Sequence, residues 1–550
     1  MDEGEGFVKK GGEGEGASIS KNKAKKDAKK AEKAERAAQR QQTRSAASSA
    51  GASESDETDP LSSNYGDIPL EDIQSKSVTG RTWTDVGELS VEMKDKRVLI
   101  RGVVQAIRPM SKKIAFLVVR QNMSTVQCVL VVSKDIISTQ MVRFATSLSK
   151  ESIVDVEGVI SVPDPKDPIK GTTQPVEIHV RKIYCVNRNM SNLPINIEDA
   201  SRSETEFKEA EKSGKQLVRV GQDTSLNYRV LDLRTLTNQA IFRILSQVVN
   251  EFRRFLLSKN FVEIFTPKVI AGSSEGGAEV FKLDYKGQPA CLAQSPQLHK
   301  QMAVCAGFGR VFEVGPVFRA ENSYTHRHLC EFVGLDVEME IKEHYHEVCD
   351  IVAELFVSIF NHLNENCSKE LEAINRQYPF EPLKYLLPDG NVLRLTYDEG
   401  IEMLTEAGVV IEPKGDLNTE AEKKLGKLVS DKYNTDFYIL TRYPLTTRPF
   451  YTMPCYDNKD YSNSFDVFLR GEEIISGAQR IHHPDMLIQH AKERGIDVKT
   501  ISTYIDSFRY RPPPHGGFGA GLERVVMLFC GLNNIRKCSL FPRDPQRLTP

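Results

Sequence analysis

The sequence predicts two folded domains, a small OB-type β barrel and a larger α+β domain around an antiparallel sheet, after a basic N-terminal extension. The barrel is predicted by five short apolar runs between residues 98 and 186 and by a helix-like stretch after the third run. The second domain is predicted by apolar residues that repeat at helical spacing over 238–260, followed by strands and helices without a regular βαβ alternation. The predicted boundaries are 1–80 for the extension and linker, 81–189 for the barrel, 190–237 for a hinge and 238–550 for the α+β domain.

Composition is typical of a soluble globular protein with more than one core. The chain has 550 residues, 40% of them hydrophobic and 27% charged, with a formal net charge of -2. It has no apolar run of about eighteen residues and no N-terminal hydrophobic stretch of a secretory signal. Its ten cysteines are scattered without a C-x-x-C pair, which indicates neither a zinc site nor a disulfide framework. We therefore expect a cytoplasmic protein with no membrane partner.

The N-terminal extension concentrates positive charge. Residues 1–19 are rich in Gly and Glu and are predicted to be disordered. Residues 20–44 carry ten Lys or Arg and three acids, and most are good helix formers without an apolar stripe. Such a segment fits a polyanion, although a solvated helix or tail without a partner has the same pattern. Residues 45–80 resemble a linker.

The barrel prediction follows from the spacing of its strands. A helix over 133–148 interrupts five strands, an arrangement typical of an OB-type Greek-key barrel, and other small barrels or sandwiches have a similar strand count. The predicted strands are 98–107, 115–120, 125–132, 153–162 and 176–186.

Two segments early in the second domain carry polar side chains that suit a binding site. Residues 272–278 form a loop of small residues around the single carboxylate of Glu275; a flexible turn is the alternative interpretation. Residues 294–301 are predicted to pass from a strand into a helix after Pro296. Gln297 and Lys300 then share one helix face and suit an amino acid with a carboxylate; an ordinary helix start is the alternative.

A third segment, residues 318–339, alternates charged and apolar residues. We interpret it as two antiparallel strands whose inner faces carry a charged site, with a surface hairpin of salt bridges as the alternative. The guanidinium of Arg319 suits bidentate binding of a phosphate or carboxylate. His326 and His328 are two residues apart in this segment, and we do not interpret them as a zinc pair.

A fourth pair of segments, 468–480 and 516–528, combines hard oxygen ligands with a glycine-rich turn. Glu473 and Ser476 offer oxygens that suit Mg²⁺. Arg524 lies one turn into the helix that follows the glycines. The pattern fits neither a dinucleotide fingerprint nor a P-loop.

Taken together, these segments resemble the three signature motifs of the class II aminoacyl-tRNA synthetases. Residues 238–267 resemble motif 1, a long helix and a strand that ends at Pro267. Residues 318–331 resemble motif 2, with Phe-Arg-x-Glu and a later arginine–histidine pair. Residues 519–527 resemble motif 3, Gly-x-Gly-x-Glu-Arg. The resemblance covers residues 80–550.

Within that class the sequence is most similar to the aspartyl-tRNA synthetases. Residues 294–301, 332–339 and 471–480 carry this similarity. The pattern Ser20-Lys21-x-x-Ala24-Lys25-Lys26-x-x-Lys29 also resembles the lysine-rich tRNA-binding helix of the eukaryotic cytoplasmic enzymes. Ala24 stands where family versions often carry leucine.

The resemblance implies an enzyme that activates L-aspartate with ATP and Mg²⁺ and transfers it to the 3′ end of tRNA(Asp). It also implies a homodimer formed around Pro267, and it leaves membership of a multi-synthetase assembly open. The positions implied to be catalytic are Arg319, Arg524 and Glu473, and those implied to hold Mg²⁺ are Glu473 and Ser476.

The resemblance also assigns binding residues. Those for aspartate are Glu275, Gln297, Lys300, Arg319, Asp336, Ser476 and Arg480. Those for ATP are Arg319, Glu321, Arg327, His328, Leu329, Phe332, Glu473, Gly521, Leu522, Glu523 and Arg524. Those for the anticodon are Phe116, Gln127 and Glu177, and those of the tail for tRNA are Lys21, Lys25, Lys26 and Lys29.

Three alternatives remain at this level. An asparaginyl or lysyl enzyme shares the fold and motifs, but paired cations at Lys300 and Arg480 suit an acidic side chain better. A catalytically inactive RNA-binding paralogue is a second alternative, although every expected catalytic position is filled. The third is a dual role, in which the tail docks into a larger assembly.

Overall fold

A computed structural model describes residues 59–164, 169, 171–189, 192–271, 280–412 and 414–549. The predicted tail contacts and the loop carboxylate Glu275 lie outside the described residues. The chain divides into two compact units between residues 190 and 191. Within the described part of the chain, no helix is both long enough and apolar enough to cross a membrane. The four-part division made from the sequence stays a prediction.

The first unit is a closed barrel. Its sheet has the order β1-β6-β4-β3-β2-β5, and β5 also pairs with β6, so that the sheet closes on itself. Its strands are β1 (Tyr65–Asp67), β2 (Arg97–Ser111), β3 (Ile114–Gln121), β4 (Ser124–Val131), β5 (Ile153–Ser161) and β6 (Glu177–Asn187). Its helices are Leu70–Ile73 and Thr139–Thr146. The predicted OB-type barrel, with a helix after its third long strand, is confirmed.

Alternation along the strands builds the barrel core. In β2, Val98, Ile100, Gly102 and Val104 are buried, while the alternate residues Leu99, Arg101 and Val103 are more exposed. The helix Thr139–Thr146 begins where Ser138 accepts a hydrogen bond from the backbone N–H of Met141. Its buried face covers one end of the barrel core.

The ordered barrel begins earlier than the sequence suggests. Strand Tyr65–Asp67 lies in the segment interpreted as a linker, yet it pairs in parallel with β6. The Tyr65 ring lies 5.6 Å from the Phe144 ring, and its hydroxyl donates to Asp59 at 2.9 Å. A three-residue strand is too short to give a detectable alternation, so its sequence carries no signal.

The second unit is built on an eight-stranded sheet of order β13-β14-β15-β16-β17-β12-β11-β7. Its inner pairs are antiparallel as predicted, and the pairs at its two edges are parallel. Three further strands, β8–β10, form a separate small sheet. The strands of this unit are β7 (Val262–Glu263), β8 (Val269–Ile270), β9 (Lys282–Tyr285), β10 (Gln288–Leu292), β11 (Arg310–Phe318), β12 (Glu331–Glu340), β13 (Leu393–Thr396), β14 (Phe437–Thr441), β15 (Ser464–Leu469), β16 (Glu472–Gln479) and β17 (His515–Gly521).

Helices surround this sheet. The α-helices of the second unit are Ile197–Ala200, Glu204–Lys212, Gln222–Asn227, Arg229–Asp232, Leu236–Ser258, Gln297–Cys305, His346–Asn366, Ser368–Gln377, Tyr397–Glu406, Thr419–Tyr433, Pro484–Glu493, Ser502–Ser507 and Leu522–Phe529. The long predicted helix, Leu236–Ser258, buries Ile241, Ile244 and Val248, as its 3.6-residue period requires. The strand expected after it is limited to Val262–Glu263, and the chain then leaves the sheet, with Phe265 80% exposed.

The central strands bring the charged segments together. β11 and β12 pair from Arg310 with Met339 to Phe318 with Glu331. The charged stretch 319–330 is therefore the connection between two antiparallel strands. Of the two strands predicted within residues 318–339, the second is present as β12, and the first is wrong because β11 ends at Phe318. Within 319–330 polar residues outnumber apolar ones, so this part of the segment has no continuous apolar face to pack on the sheet.

Two glycines of β17 are required by close approach. A Cβ on Gly517 would lie 2.0 Å from the carbonyl oxygen of Val337 and 2.3 Å from Oε2 of Glu338. A Cβ on Gly516 would lie 2.8 Å from the carbonyl oxygen of Ala478. These glycines leave room for a buried carboxylate between strands β12 and β17.

Candidate functional site

A cavity of about 450 Å³ lies over the central strands of the second unit. Most of the binding and catalytic residues predicted from the sequence meet there. The predicted residues that line it are Gln297, Arg319, Glu321, Arg327, His328, Leu329, Phe332, Asp336, Glu473, Ser476, Arg480, Gly521, Glu523 and Arg524. Lys300 lies behind this wall and is 1% exposed, and Leu522 is packed in the core rather than on the wall.

Lys300 and Arg480 converge on one carboxylate, that of Glu338. Arg480 donates to it through Nε at 3.0 Å and Nη2 at 3.2 Å, and Nζ of Lys300 lies 3.6 Å from Oε2. Burial alone would raise the pKa of Glu338, but the two cations hold it below its ordinary value. The carboxylate is therefore ionised and fixes both cations.

Lys300 has three further acceptors. Its ammonium donates to Oδ1 of Asp336 at 3.1 Å and to the main-chain oxygens of Phe518 and Val337 at 3.0 and 3.3 Å. Asp336 and Glu338 are two apart in β12, so both carboxylates face the same side of the sheet. Asp336 lines the cavity and Glu338 lies behind it, so Lys300 is held by two carboxylates of one strand.

One wall of the cavity carries a ring and two arginines. Cζ of Arg319 lies 5.7 Å from the centre of the Phe332 ring. Arg524 donates to the main-chain oxygens of Glu473 at 3.2 Å and Arg327 at 3.3 Å. Burial lowers the pKa of Arg524 from its ordinary value, with Glu473 acting in the opposite direction. An anion in this cavity would meet a guanidinium that is already fixed in position.

Glu523 is turned toward the strand rather than toward open space. Both of its carboxylate oxygens lie 3.1 Å from the backbone N–H of Val333. Burial raises the pKa of Glu523 to about 7. This residue ties the helix Leu522–Phe529 to β12 next to Phe332.

A β-bulge brings Glu473 and Ser476 to one face of β16. In an unbroken strand, residues three apart face opposite sides, but the pairing with β15 passes from Ile475 directly to Glu473 and leaves Ile474 as the extra residue. Both side chains consequently line the cavity. Burial and, to a smaller extent, the nearby Asp466 raise the pKa of Glu473 to about 7, while Arg524 opposes this.

Asp466 and Arg448 form a buried ion pair beside this carboxylate. The two groups bond in a bidentate manner at 2.8 and 2.7 Å, and Nη1 of Arg448 also donates to the Ser476 hydroxyl at 3.0 Å. Among the described residues, no three His, Cys, Asp or Glu side chains form a group that holds a metal by itself. Of the two predicted Mg²⁺ ligands, Glu473 therefore fits a cation better than Ser476.

The connection between β11 and β12 is anchored by its own polar contacts. Arg327 donates to Glu422 at 2.8 Å, and Nδ1 of His328 lies 2.5 Å from the Thr325 hydroxyl. Nε2 of His326 lies 3.2 Å from Glu472. Burial lowers the pKa of His328, and the positive charge of Arg524 adds to this. The imidazole of His328 is therefore neutral at pH 7.

In the first unit, the three predicted anticodon residues share one face of the barrel. Phe116 pairs with Val129 and Gln127 pairs with Val118 across β3 and β4. Gln127 also pairs with Glu177 of β6 and donates to its carboxylate at 2.5 Å. Phe116 is half-buried between the fully buried Ala115 and Leu117, so its ring points away from the barrel core.

Sequence reasoning missed several residues that build this site: Glu338, Arg448, Asp466, Glu422, Gln301 and His515. In a predicted strand, the alternation Asp336-Val-Glu338 places Glu338 on the same face as Asp336, so this pattern could have identified Glu338 as a site residue. Arg448 and Asp466 are eighteen residues apart in different elements, so no periodicity connects them.

The fold and this site define a class. The sequence pattern described as tRNA synthetases class II (D, K and N) matches residues 221–545, and the chain belongs to this family. The chain is 60% identical over 503 residues to aspartate–tRNA ligase 2, cytoplasmic, of Arabidopsis thaliana, covering 90% of this chain and 89% of that one. It is 51% identical over 478 residues to aspartate–tRNA ligase, cytoplasmic, of Homo sapiens, covering 87% and 93%. Among solved structures, aspartyl tRNA synthetase from Entamoeba histolytica superposes with a TM-score of 0.81 at 47% identity, over 88% of this chain and 96% of that one.

Proposed function

We propose that this protein is an aspartate–tRNA ligase, which joins L-aspartate to tRNA(Asp) through an aspartyl-adenylate. The observation that carries the proposal is the buried pair Lys300 and Arg480, held by Glu338 at the base of a cavity that also contains Arg319 and Arg524. The relatives are named cytoplasmic enzymes, and the cytoplasm is the compartment of this chain.

Selection of aspartate follows from the charge at the base of the cavity. Glu338 occupies Nε and Nη2 of Arg480, so the rest of the guanidinium is left for the side-chain carboxylate of the substrate. Asparagine presents an amide with two N–H donors, which a guanidinium with donors only cannot satisfy. Leaving a buried cation without an acceptor is costly, so discrimination of about 10²-fold or more is expected.

Activation requires the α-carboxylate of aspartate to attack the α-phosphate of ATP in line. The bond from phosphorus to the bridging oxygen breaks, and pyrophosphate leaves. Arg319 neutralises charge on the phosphate and the attacking carboxylate, because its guanidinium has two parallel donors. Phe332 and Arg524 enclose the purine from two sides, and Glu321 contacts its edge. Arg327 and His328 face the pyrophosphate. The catalytic contribution of these groups is positioning and charge stabilisation.

Magnesium fits the donor set at Glu473. Mg²⁺ in nucleotide sites is held by one or two carboxylates together with phosphates and water, and it neutralises phosphate charge. A cation next to Glu473 also relieves the repulsion from Asp466 that contributes to its raised pKa. Ser476 is a weaker candidate, because its hydroxyl already accepts from Arg448.

The anticodon of tRNA(Asp) is proposed to bind the barrel face of Phe116, Gln127 and Glu177. Replacing Phe116 by leucine is expected to lower kcat/KM for tRNA by about tenfold or more, since stacking of one base on an aromatic ring contributes roughly 1–3 kcal/mol. Pyrophosphate exchange, which needs no tRNA, is expected to be unchanged.

The matched control for this prediction is Trp83→Leu. Trp83 is another aromatic residue of the first unit, 42% exposed, and its ring contacts Arg101 of β2. Equal effects of the two substitutions on tRNA charging would refute the assignment of the anticodon face.

The family also indicates two further interactions, a dimer of this chain and a contact between its basic N-terminal segment and tRNA. A dimer around Pro267 is supported by exposed apolar residues next to it, Phe265 and Val269, which are 80% and 55% exposed. The basic segment 20–44 is proposed to bind tRNA through Lys21, Lys25, Lys26 and Lys29. Sedimentation velocity that detects only monomers would refute the first proposal. Unchanged tRNA affinity after removal of residues 1–50 would refute the second.

The proposed function is tested by charging. Purified protein with ATP and Mg²⁺ is expected to attach labelled aspartate, in acid-precipitable form, to a tRNA(Asp) transcript. A tRNA(Asn) transcript with labelled asparagine is the matched control. Attachment of asparagine but not aspartate would establish the sister enzyme instead, and no attachment of either would support an inactive RNA-binding paralogue.

A further inference from the structure

A row of buried hydrogen bonds leads from His515 to the cavity. Nδ1 of His515 lies 2.9 Å from the carbonyl oxygen of Pro513, and its Nε2 lies 3.1 Å from Nε2 of Gln301. Oε1 of Gln301 accepts from Nε2 of Gln297 at 2.8 Å and from the hydroxyl of Tyr504 at 3.0 Å. None of His515, Gln301 and Tyr504 lines the cavity, and each is at most 2% exposed; Gln297 does line it.

The chemistry of these groups fixes the direction of every bond. A carbonyl oxygen only accepts, so Nδ1 of His515 carries the hydrogen and, in the neutral ring, Nε2 accepts. Gln301 must then turn its amide nitrogen toward His515 and its oxygen toward Gln297. Gln297 in turn donates its amide nitrogen to Gln301, so its own oxygen Oε1 is the polar atom left to face the cavity.

Protonation of His515 would reverse the direction of the hydrogen bonds in this row. Nε2 would become a donor and would require the oxygen of Gln301, so Gln301 and then Gln297 would both turn over. Gln297 would present N–H donors to the cavity in place of an acceptor. An ammonium has three donors and no acceptor, so it binds the first arrangement and is repelled by the second.

We propose that His515 is a positioning residue that acts through Gln301 to keep the carbonyl oxygen of Gln297 directed at the α-ammonium of the amino acid. The identity of that substrate rests on the proposed function. The charged and titratable groups around His515 are Glu338 from β12, Arg480 directly after β16, and His482 two residues further along. Burial is the main reason that the pKa of His515 lies below its ordinary value, with Glu338 opposing and Arg480 assisting, so the ring is neutral at pH 7.

The test compares aspartate with succinate, which is aspartate without its amino group. His515→Leu keeps the bulk and removes the acceptor. Loss of an oriented hydrogen bond to a charged group is expected to raise KM for aspartate in pyrophosphate exchange by about tenfold. The values of kcat, KM for ATP and the inhibition constant of succinate are expected to change less than about twofold, because none depends on the ammonium contact. An unchanged KM for aspartate, or equal weakening of aspartate and succinate, would overturn the proposal.

Two further variants keep the test decisive. His515→Gln offers a carbonyl oxygen to Gln301 and is expected to return KM for aspartate toward the wild-type value. In the wild type, KM for aspartate is expected to rise as the pH falls through the lowered pKa of His515, and to rise more than in His515→Gln, since an amide does not titrate. Parallel pH profiles would overturn the proposal.

Tyr504→Phe removes one donor to Gln301 and leaves the ring in place. It is expected to show the same difference between aspartate and succinate, with a smaller rise of about two- to threefold. If Tyr504→Phe weakens the binding of aspartate and of succinate equally, the proposal is wrong. This result is decisive even where His515→Leu does not fold. A wild-type enzyme without aspartate-dependent exchange would instead refute the proposed function, and with it this inference.

Discussion

Replacing Arg480 by methionine is expected to lower kcat/KM for aspartate by about 10³-fold or more. The substitution removes the donor that faces the substrate carboxylate and leaves Glu338 buried beside Lys300 alone. Truncating one partner of a buried, hydrogen-bonded charge pair typically costs about 3–5 kcal/mol. Steady-state pyrophosphate exchange measures the catalytic loss, and thermal unfolding measures the loss of stability.

A second substitution separates these two effects. Adding Glu338→Gln to Arg480→Met removes the uncompensated carboxylate, so stability is expected to recover for the most part. Activity is expected to stay low, because no cation has been returned to the substrate. If the double variant recovers activity together with stability, Arg480 acts only in folding, and its assignment to the aspartate carboxylate is wrong.

Glu473→Gln is expected to lower kcat by about 10²-fold or more, since a metal that stabilises phosphate charge loses its carboxylate ligand. The same substitution is expected to stabilise the protein when Mg²⁺ and nucleotide are absent. The reason is the pKa of Glu473, about 7 in the folded protein against an ordinary value of 4.5. An acid whose pKa is raised on folding holds its proton more tightly in the folded state, so folding is disfavoured once the group ionises.

The pH dependence has a definite sign. Below pH 4.5 the carboxyl of Glu473 is protonated in both the folded and the unfolded state and does not change the free energy of unfolding. Between about 4.5 and 7 the unfolded chain has lost its proton while the folded chain still binds it, so wild-type stability falls as the pH rises. The melting temperature of Glu473→Gln is therefore expected to exceed that of the wild type by a growing margin up to about pH 7 and by a constant margin above it. Apparent affinity for Mg²⁺ is expected to rise over the same range.

Glu472→Gln is the matched control for this prediction. Glu472 is the neighbouring carboxylate of β16, contacts His326 and Lys423, and does not line the cavity. Its substitution is expected to change kcat by less than about tenfold. If the two variants lose equal activity, or if Glu473→Gln destabilises the metal-free protein at pH 8, the assignment of Glu473 to Mg²⁺ is wrong.

The parts of the fold with strong periodicity are those that the sequence predicts well. The helix Leu236–Ser258 has an apolar residue at nearly every third or fourth position, and β2 alternates over most of its length. The start of the helix Gln297–Cys305 after Pro296 was also predictable, because proline is tolerated at the start of a helix and not in its interior. These local patterns depend on burial of one face, which short segments of sequence record directly.

The site depends on contacts that local patterns do not record. The bulge at Ile474 moves Glu473 to the opposite face of β16, and the residue types of β16 do not predict a bulge. The connection 319–330 is held by partners far along the chain, such as Glu422 for Arg327. Glu338 was missed because a buried acid between apolar residues is usually interpreted as an exposed position of a strand. Its burial follows from the convergence of β12, β17, Arg480 and the helix Gln297–Cys305.

Lys300, Arg480 and Glu338 together are expected to form a pocket for an acidic side chain. Amino-acid-dependent pyrophosphate exchange by the wild-type protein, with aspartate and asparagine compared under the same conditions, tests it most directly. Exchange is expected with aspartate, and kcat/KM for asparagine is expected to be lower by about 10²-fold or more. Equal exchange with the two amino acids, or exchange with asparagine alone, would contradict it.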